Sequence, residues 1–485
     1  MRCIALLLLL CGSARGEDRF GSIVFLNSGK PEAQAAFQRG VVLLHNFAYP
    51  QAQRAFVEAQ TIDPQFTLAY WGEAMSFSHP IWNQIDVEAG HRVLQRAVLL
   101  KQSSTPRERA YLEAIEALYF DSWQKGRQWQ PGEKLTRDRA YEKAMERLAR
   151  TNPADVEAQV FWALSILGTG AREEVNPERQ IRAAAILEDL FLTHPDHPGV
   201  LHYLIHAYDD PLHAPLGLRA ARRYAKVASA APHALHMPSH IFLQLGMWDE
   251  AARSNEESYA LGKEWMAREH DDLDPTRLHS LMWLEYIYLQ QHRFAEAKRL
   301  LDEVPPKAGE TAYARHTRQN LQFRYASETG EWSAFDFTTP EGRAFRAIAE
   351  KHFGDAQLAI NLLSSTKESD HDSVSKLELD EMKAMLAAAR GQIAEALRYV
   401  QSAVSAEASL ATSGPPETMR PAVELYGELL LQSGNAKGAL EQFRASLLRT
   451  PNRAASLAGA ARAAERIGDT TSAAGYREAL ANITH

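Results

Sequence analysis

Small and large apolar residues recur along this chain at helical spacing. Near its C-terminal end Gly427, Leu430, Gly434, Ala439, Phe443 and Pro451 form one phrase, and Gly468 follows Gly434 by 34 residues. Small side chains at Gly427 and Ala439 let two helices approach closely, Gly434 turns the chain between them, and Pro451 closes the unit. Gly40, Ala52, Phe56, Ala59 and Pro64 match the phrase near the start, and Gly391, Ala396, Val400 and Ala403 match it again. Weaker copies run through Tyr141, Met145, Leu148 and Pro153, through Ala183, Leu187, Leu190 and Pro195, through Ala220, Tyr224, Val227 and Pro232, and through Ala297, Leu301 and Pro305. Strand-like alternation of Val, Ile and Thr between turn pairs is missing, so the pattern predicts helix almost throughout.

The phrase resembles the tetratricopeptide repeat (TPR), a helix-turn-helix unit of about 34 residues. The resemblance covers most of residues 30–480 and implies an all-α, right-handed α-solenoid of stacked repeats. Three stretches interrupt it and read as loops between repeats: His79 to Asn83, the polar segment Asp121 to Gly132, and Ala334 to Glu341. Ser364 to Ser375, rich in Ser, Asp and Lys, is the best candidate for a joint. It divides a solenoid over residues 17–363 from C-terminal repeats over 376–485, with one continuous superhelix as the alternative.

Histidine breaks the composition. At the chain average of 18 His in 485 residues, the window His194 to His240 should hold about two, yet it holds eight. Two pairs stand four residues apart: His202 with His206, and His236 with His240. On a helix that spacing puts both imidazoles on one face, where they can share a metal. Counted from Pro195 and Pro232, both pairs fall in the first helix of a repeat, so corresponding helices stacked about 8–10 Å apart would bring four imidazoles together. Such a set suits zinc, copper, nickel or iron(II) and would be costly to bury unpaired. Asp209 and Asp210 follow one turn later, and either is a candidate ligand, ring N–H acceptor or general base. Pro238 argues against a smooth helix between His236 and His240. A buried hydrogen-bond network is the competing reading for both pairs, and His194, His197, His213 and His233, beside prolines, read as loop or cap residues.

The segments His197 to Pro211 and His233 to Trp248 together resemble a group of secreted bacterial TPR proteins. So do Phe47 to Tyr49 after His45, Trp71 to Ser76 with His79 to Trp82, and His279 to Leu284. The resemblance implies the repeat fold and a bacterial source, and brings no activity with it. It adds His45, His79 and His279 as further metal candidates and Glu73 as a carboxylate ligand or base. A helix-surface salt bridge is the plainer role for Glu73, and a cap before Pro80 the plainer one for His79. Trp162, Trp248, Trp283 and Tyr286 lie at helical spacing and read as core.

Charge and termini narrow the setting. With 61 Asp+Glu against 53 Lys+Arg and no basic block, nucleic acid is not the expected partner. Arg2, the apolar run Leu6 to Leu10 and the small residues up to Gly16 have the layout of a secretory signal peptide, cut before Glu17. A lipid on Cys11 is the alternative, disfavoured by Leu10 where a small residue belongs. The cut removes Arg2, Arg15 and both cysteines, so 51 basic residues face 61 acidic ones and any metal ligands must be His, Asp or Glu. No later stretch is long and apolar enough to cross a membrane, which places the product in the periplasm or outside the cell. Dinucleotide, P-loop, zincin and nucleophile-elbow motifs are all missing.

Two functions are compatible with these features. One is a solenoid that binds a protein, a peptide or a small molecule on its concave face, with structural histidines and no metal. The other adds a His-based transition-metal centre in the central repeats, holding zinc, copper or iron, with catalysis by a hydrolase or oxidoreductase route left open.

Overall fold

Two phenyl rings show how the repeats are held together. Phe56, on the helix Tyr49–Ile62, lies between Gly40 on Gln34–His45 and Gly72 on Thr67–Met75, where an added Cβ would stand 2.7 and 2.3 Å from the ring. Phe443, on Ala436–Arg449, lies in the same way between Gly427 on Ala422–Gln432 and Gly459 on Ala454–Arg466, at 2.9 and 2.3 Å. In both cases sixteen residues separate ring from glycine on either side. One ring thus fastens three successive helices, the sequence phrase turned into packing.

These contacts come from a computed structural model, which describes residues 18–119, 132–169, 177–269, 275–307, 310–367, 373–410, 413–416 and 420–484. The leader read at residues 1–16 and nearly all of the Asp121 to Gly132 segment lie outside them. The chain is an all-α solenoid of TPR-like helix pairs. Among the described residues, strand is confined to Ser78–His79 paired antiparallel with Gln84–Ile85, Ser78 opposite Ile85 and His79 opposite Gln84. The interruption read as a loop between repeats at His79 to Asn83 contains a small hairpin, turned by Pro80–Trp82 and by Asn83 at φ 56°. No described helix is long and apolar enough to cross a membrane.

Turns inside the repeats share one geometry. Gly391, Gly434 and Gly468 sit at φ 79°, 86° and 80°, each two residues beyond a helix end. Gly434 N–H donates to Leu431 and Asn435 N–H to Leu430, which satisfies carbonyls the helix leaves open. The first repeat makes the same bonds, Phe47 N–H to Leu44 and Ala48 N–H to Leu43, but with Phe47 in the left-handed position at φ 54°.

The chain divides into two compact units. The first holds the helices up to Ala171 with Glu178–Ala207 and Arg222–Leu235; the second holds Tyr208–Ala221 and everything from His236 onward. In the first unit an extended N-terminal segment buries Phe25 against Phe37, Trp71 and Tyr111. In the second, Ile360 and Leu363 share a core with Met382 and Leu386. That core draws residues from both sides of the segment Ser364 to Ser375. A fully buried Arg453 pairs with Glu424 and Glu328, both at 2.8 Å, and Trp248 Nε1–H donates to the Asn452 carbonyl at 2.9 Å, which ties the last repeats to the helices after His236.

Candidate metal centres

In the first unit, His202 and His206 stand one turn apart on the helix Pro198–Ala207, and His233 comes from Pro232–His236. His202 Nε2 is 3.1 Å from His206 Nε2 and 3.1 Å from His233 Nε2. His202 Nδ1 lies 2.6 Å from the His45 carbonyl, an acceptor only, so the ring proton is on Nδ1 and the Nε2 lone pair faces the other two rings. A lone pair takes one N–H well; a metal cation takes all three nitrogens. Phe47 covers the group, its ring centroid 4.3 Å from that of His202, 5.9 Å from His206 and 5.3 Å from His233.

The second unit builds a matching triad from His236, His240 and His279, whose donor atoms fall within 4.8 Å of one another. Pro238 does not break the pair. Pro232–His236 ends, Met237 stays helical at φ −54°, and Pro238 opens Pro238–Gln244 at a position that needs no N–H. His236 Nδ1–H donates to Asn255 Oδ1 at 2.7 Å, and the amide orientation is fixed because Asn255 Nδ2 donates to the Ala251 carbonyl at 2.9 Å. His240 Nδ1–H donates to Asp209 Oδ2 at 2.6 Å, while Asp209 Oδ1 accepts from Gln244 at 3.2 Å. Both Nδ1 protons point outward, so the two Nε2 atoms, 3.1 Å apart, present lone pairs to each other. Outward Nδ1–H bonds to a carboxylate, amide or carbonyl are how metal-bound histidines are oriented. Trp283 covers this triad as Phe47 covers the first, 4.9 Å from His236, 4.2 Å from His240 and 5.6 Å from His279.

A third cluster, His45, Glu157 and His197, is fully buried in the first unit and works differently. Val200 N–H donates to His197 Nδ1 at 3.3 Å, so His197 Nε2–H donates to Glu157 Oε1 at 3.0 Å. Tyr203 O–H donates to His45 Nδ1 at 3.0 Å, and His45 Nε2–H donates to Glu157 Oε2 at 2.8 Å. Burial pushes the Glu157 carboxyl up, but His45 and His197 outweigh it and hold it well below the usual carboxylate range. Burial lowers His45, against the opposing pull of Glu157. Every ring nitrogen of the two histidines meets a hydrogen-bond partner, Glu157, Tyr203 or the Val200 N–H. These bonds fix His45, whose carbonyl in turn orients His202.

The candidate residues thus separate. His202 with His206 and His236 with His240 are each completed by a third histidine of their own unit, which replaces the single set of four. His279 joins a triad. His45 meets the first triad through its carbonyl, while its ring stands with Glu157 and His197 in the third cluster. Asp209 has both oxygens committed and orients His240. Glu73 accepts from Arg96 and Gln60, the salt-bridge role, and stands in neither triad. His79 stacks on Tyr49 at 3.9 Å and contacts Gln84 and the Ser76 carbonyl; it likewise belongs to no triad. Asp210 caps a turn through Leu212, His213 and the His213 ring. Sequence reasoning missed His233, read as a cap beside Pro232, and also His197, Glu157, Asn255 and Phe47. Trp283 is buried as expected, yet against imidazoles.

No protein-family model matches the chain, and no curated protein does. Solved structures similar to it include the Cut9–Hcn1 hetero-tetramer of APC/C, at 12% identity over 95% of this chain and 74% of that one with a TM-score of 0.37. The TPR domain of P58(IPK) aligns at 13% identity over 90% and 99% with a TM-score of 0.22. Human IFIT1, in its dimer with PPP-AAAA, aligns at 11% over 92% and 89% with a TM-score of 0.41. At these scores the superpositions are partial, and the solenoid assignment rests on this chain's own helix pairs, glycine-clamped rings and left-handed turns.

Proposed function

We propose that this chain is a transition-metal-binding TPR-like solenoid, working in the periplasm or outside the cell, with one tris-histidine centre in each unit. The observation that carries the reading is the pair of facing Nε2 atoms in His236 and His240, 3.1 Å apart with both Nδ1 protons committed outward. Two lone pairs at that distance repel unless a cation lies between them. Neutral imidazoles suit zinc, copper or iron(II). The helical repeats would supply a concave face for a protein, peptide or small-molecule ligand.

The test is metal content by mass spectrometry after dialysis. Parent protein is expected to retain two ions per chain, and alanine at His202, His206 and His233, or at His236, His240 and His279, is expected to remove one each while the helical circular dichroism stays. Full metal retention in both variants would rule these ligands out. A second reading, in which the histidines are structural and the solenoid is an interaction scaffold alone, draws its support from the Glu157 network, where buried histidines do serve structure. It requires a proton in place of the metal, and so no retained ion in the parent.

A further inference from the structure

Building on the metal reading, we infer that each triad is an open centre: three imidazoles hold the ion and a fourth position takes a small anionic ligand from solution, in water a hydroxide. The first support is angular. With metal–nitrogen bonds of about 2.0–2.1 Å, a 3.1 Å nitrogen–nitrogen edge subtends roughly 100° at the metal. Angles that narrow are tighter than those of an evenly spread, flat three-coordinate ion, so these imidazoles would leave room for a further donor.

The second support, for the second triad, is that the carboxylate bonded to His240 is otherwise engaged. Asp209 gives one oxygen to the His240 ring and the other to Gln244, so it braces a ligand without becoming one. The third is exposure. In each triad two rings are buried and one, His206 in the first and His279 in the second, is half-buried, so each group lies next to the protein surface. Structural zinc sites close their coordination with protein donors, whereas three protein ligands plus an exchangeable position is the arrangement that lowers the pKa of bound water and makes hydroxide available near neutral pH. The reaction class this would equip the protein for is metal-assisted hydrolysis: an ion held by the three imidazoles would supply hydroxide from water, which would add to a carbonyl carbon or phosphorus as the bond to the leaving group breaks, the leaving group taking up the proton that the water gave up.

The experiment uses the full chain loaded with cobalt(II), whose visible absorption reports coordination, and azide as the anion. Cobalt bands that zinc abolishes by displacement, and that azide shifts to saturation at one azide per bound ion, are the expected result. Cobalt bands that zinc displaces but saturating azide leaves unmoved would overturn the open centre and leave the metal reading standing. No zinc-displaceable cobalt bands at all would bring down both.

Discussion

Phe47 stands where Gly391, Gly434 and Gly468 stand in later repeats, and a bulky side chain there has a cost. The left-handed conformation disfavours a non-glycine residue by about 1–2 kcal/mol, and such strain persists only where the surroundings hold it. Here the ring lies against all three histidines of the first triad. Phe47→Ala and Phe47→Gly remove the same ring, but only the second relieves the backbone. Urea unfolding of the metal-free protein should therefore find Phe47→Gly about 1 kcal/mol more stable than Phe47→Ala, with both below the parent and both weakened in metal affinity at the first triad alone. Equal stability of the two variants would mean that the turn stores no strain.

Glu285 carries a different cost. It is fully buried on Pro275–Gln290, neither carboxylate oxygen accepts a hydrogen bond, and the Arg324 guanidinium is 3.7 Å away, beyond hydrogen-bond reach. Burial pushes its carboxyl up to about 8, against the pull of Arg324 and with a further push from Glu328. The fold thus keeps a proton that the unfolded chain releases once the pH passes the ordinary carboxylate range. Stability from this site is whole below that range and is lost as pH rises toward 8. Glu285→Gln removes the dependence, so it is expected to be about 3 kcal/mol more stable than the parent at pH 7 and to match it near pH 4, as read from urea midpoints at the two pH values. A parent and variant with parallel pH profiles would place an ionised carboxylate in the fold.

At the scale of elements, glycines of one type have opposite roles. Gly459 and Gly475 both lie within helices, Ala454–Arg466 and Thr470–Ile483. A Cβ at Gly459 would stand 2.3 Å from the Phe443 ring, whereas nothing lies within 4 Å at Gly475. Gly459→Ala should cost about 1–3 kcal/mol through overpacking. Gly475→Ala should stabilise by roughly 0.5–1 kcal/mol through helix propensity. Thermal unfolding of the two variants separates them, and a stabilised Gly459→Ala would show that the ring does not clamp the repeat.

Elements also explain what the sequence made legible. The Gly434 turn and the spacing of glycine from phenylalanine are local, so the repeat could be read directly, as could two histidine pairs at one-turn spacing. Partner choice is not local. His279 lies 39 residues beyond His240 and reaches it only through repeat stacking. His233 beside Pro232 has the local signature of a cap, and nothing in the sequence around Glu157 marks it as the acceptor between two buried imidazoles. The grouping into two threes, with His233 and His236 three residues apart yet in different triads, is set by tertiary packing.

For the molecule as a whole, the account makes the histidine excess a consequence of two tris-imidazole centres and one buried hydrogen-bond network. Together these use His45, His197, His202, His206, His233, His236, His240 and His279. The same three clusters show why counting histidines is not enough: outward Nδ1 bonds at His202, His236 and His240 turn Nε2 lone pairs toward neighbouring imidazoles, whereas the Nε2 atoms of His45 and His197 face Glu157. The most direct test is anomalous diffraction from a crystal of the metal-loaded protein, collected at the absorption edge of the bound ion. The account expects one peak in each triad, within bonding distance of His202, His206 and His233 in one and of His236, His240 and His279 in the other, and none at Glu157. Peaks elsewhere, with both triads empty in a protein that retains stoichiometric metal, would contradict it.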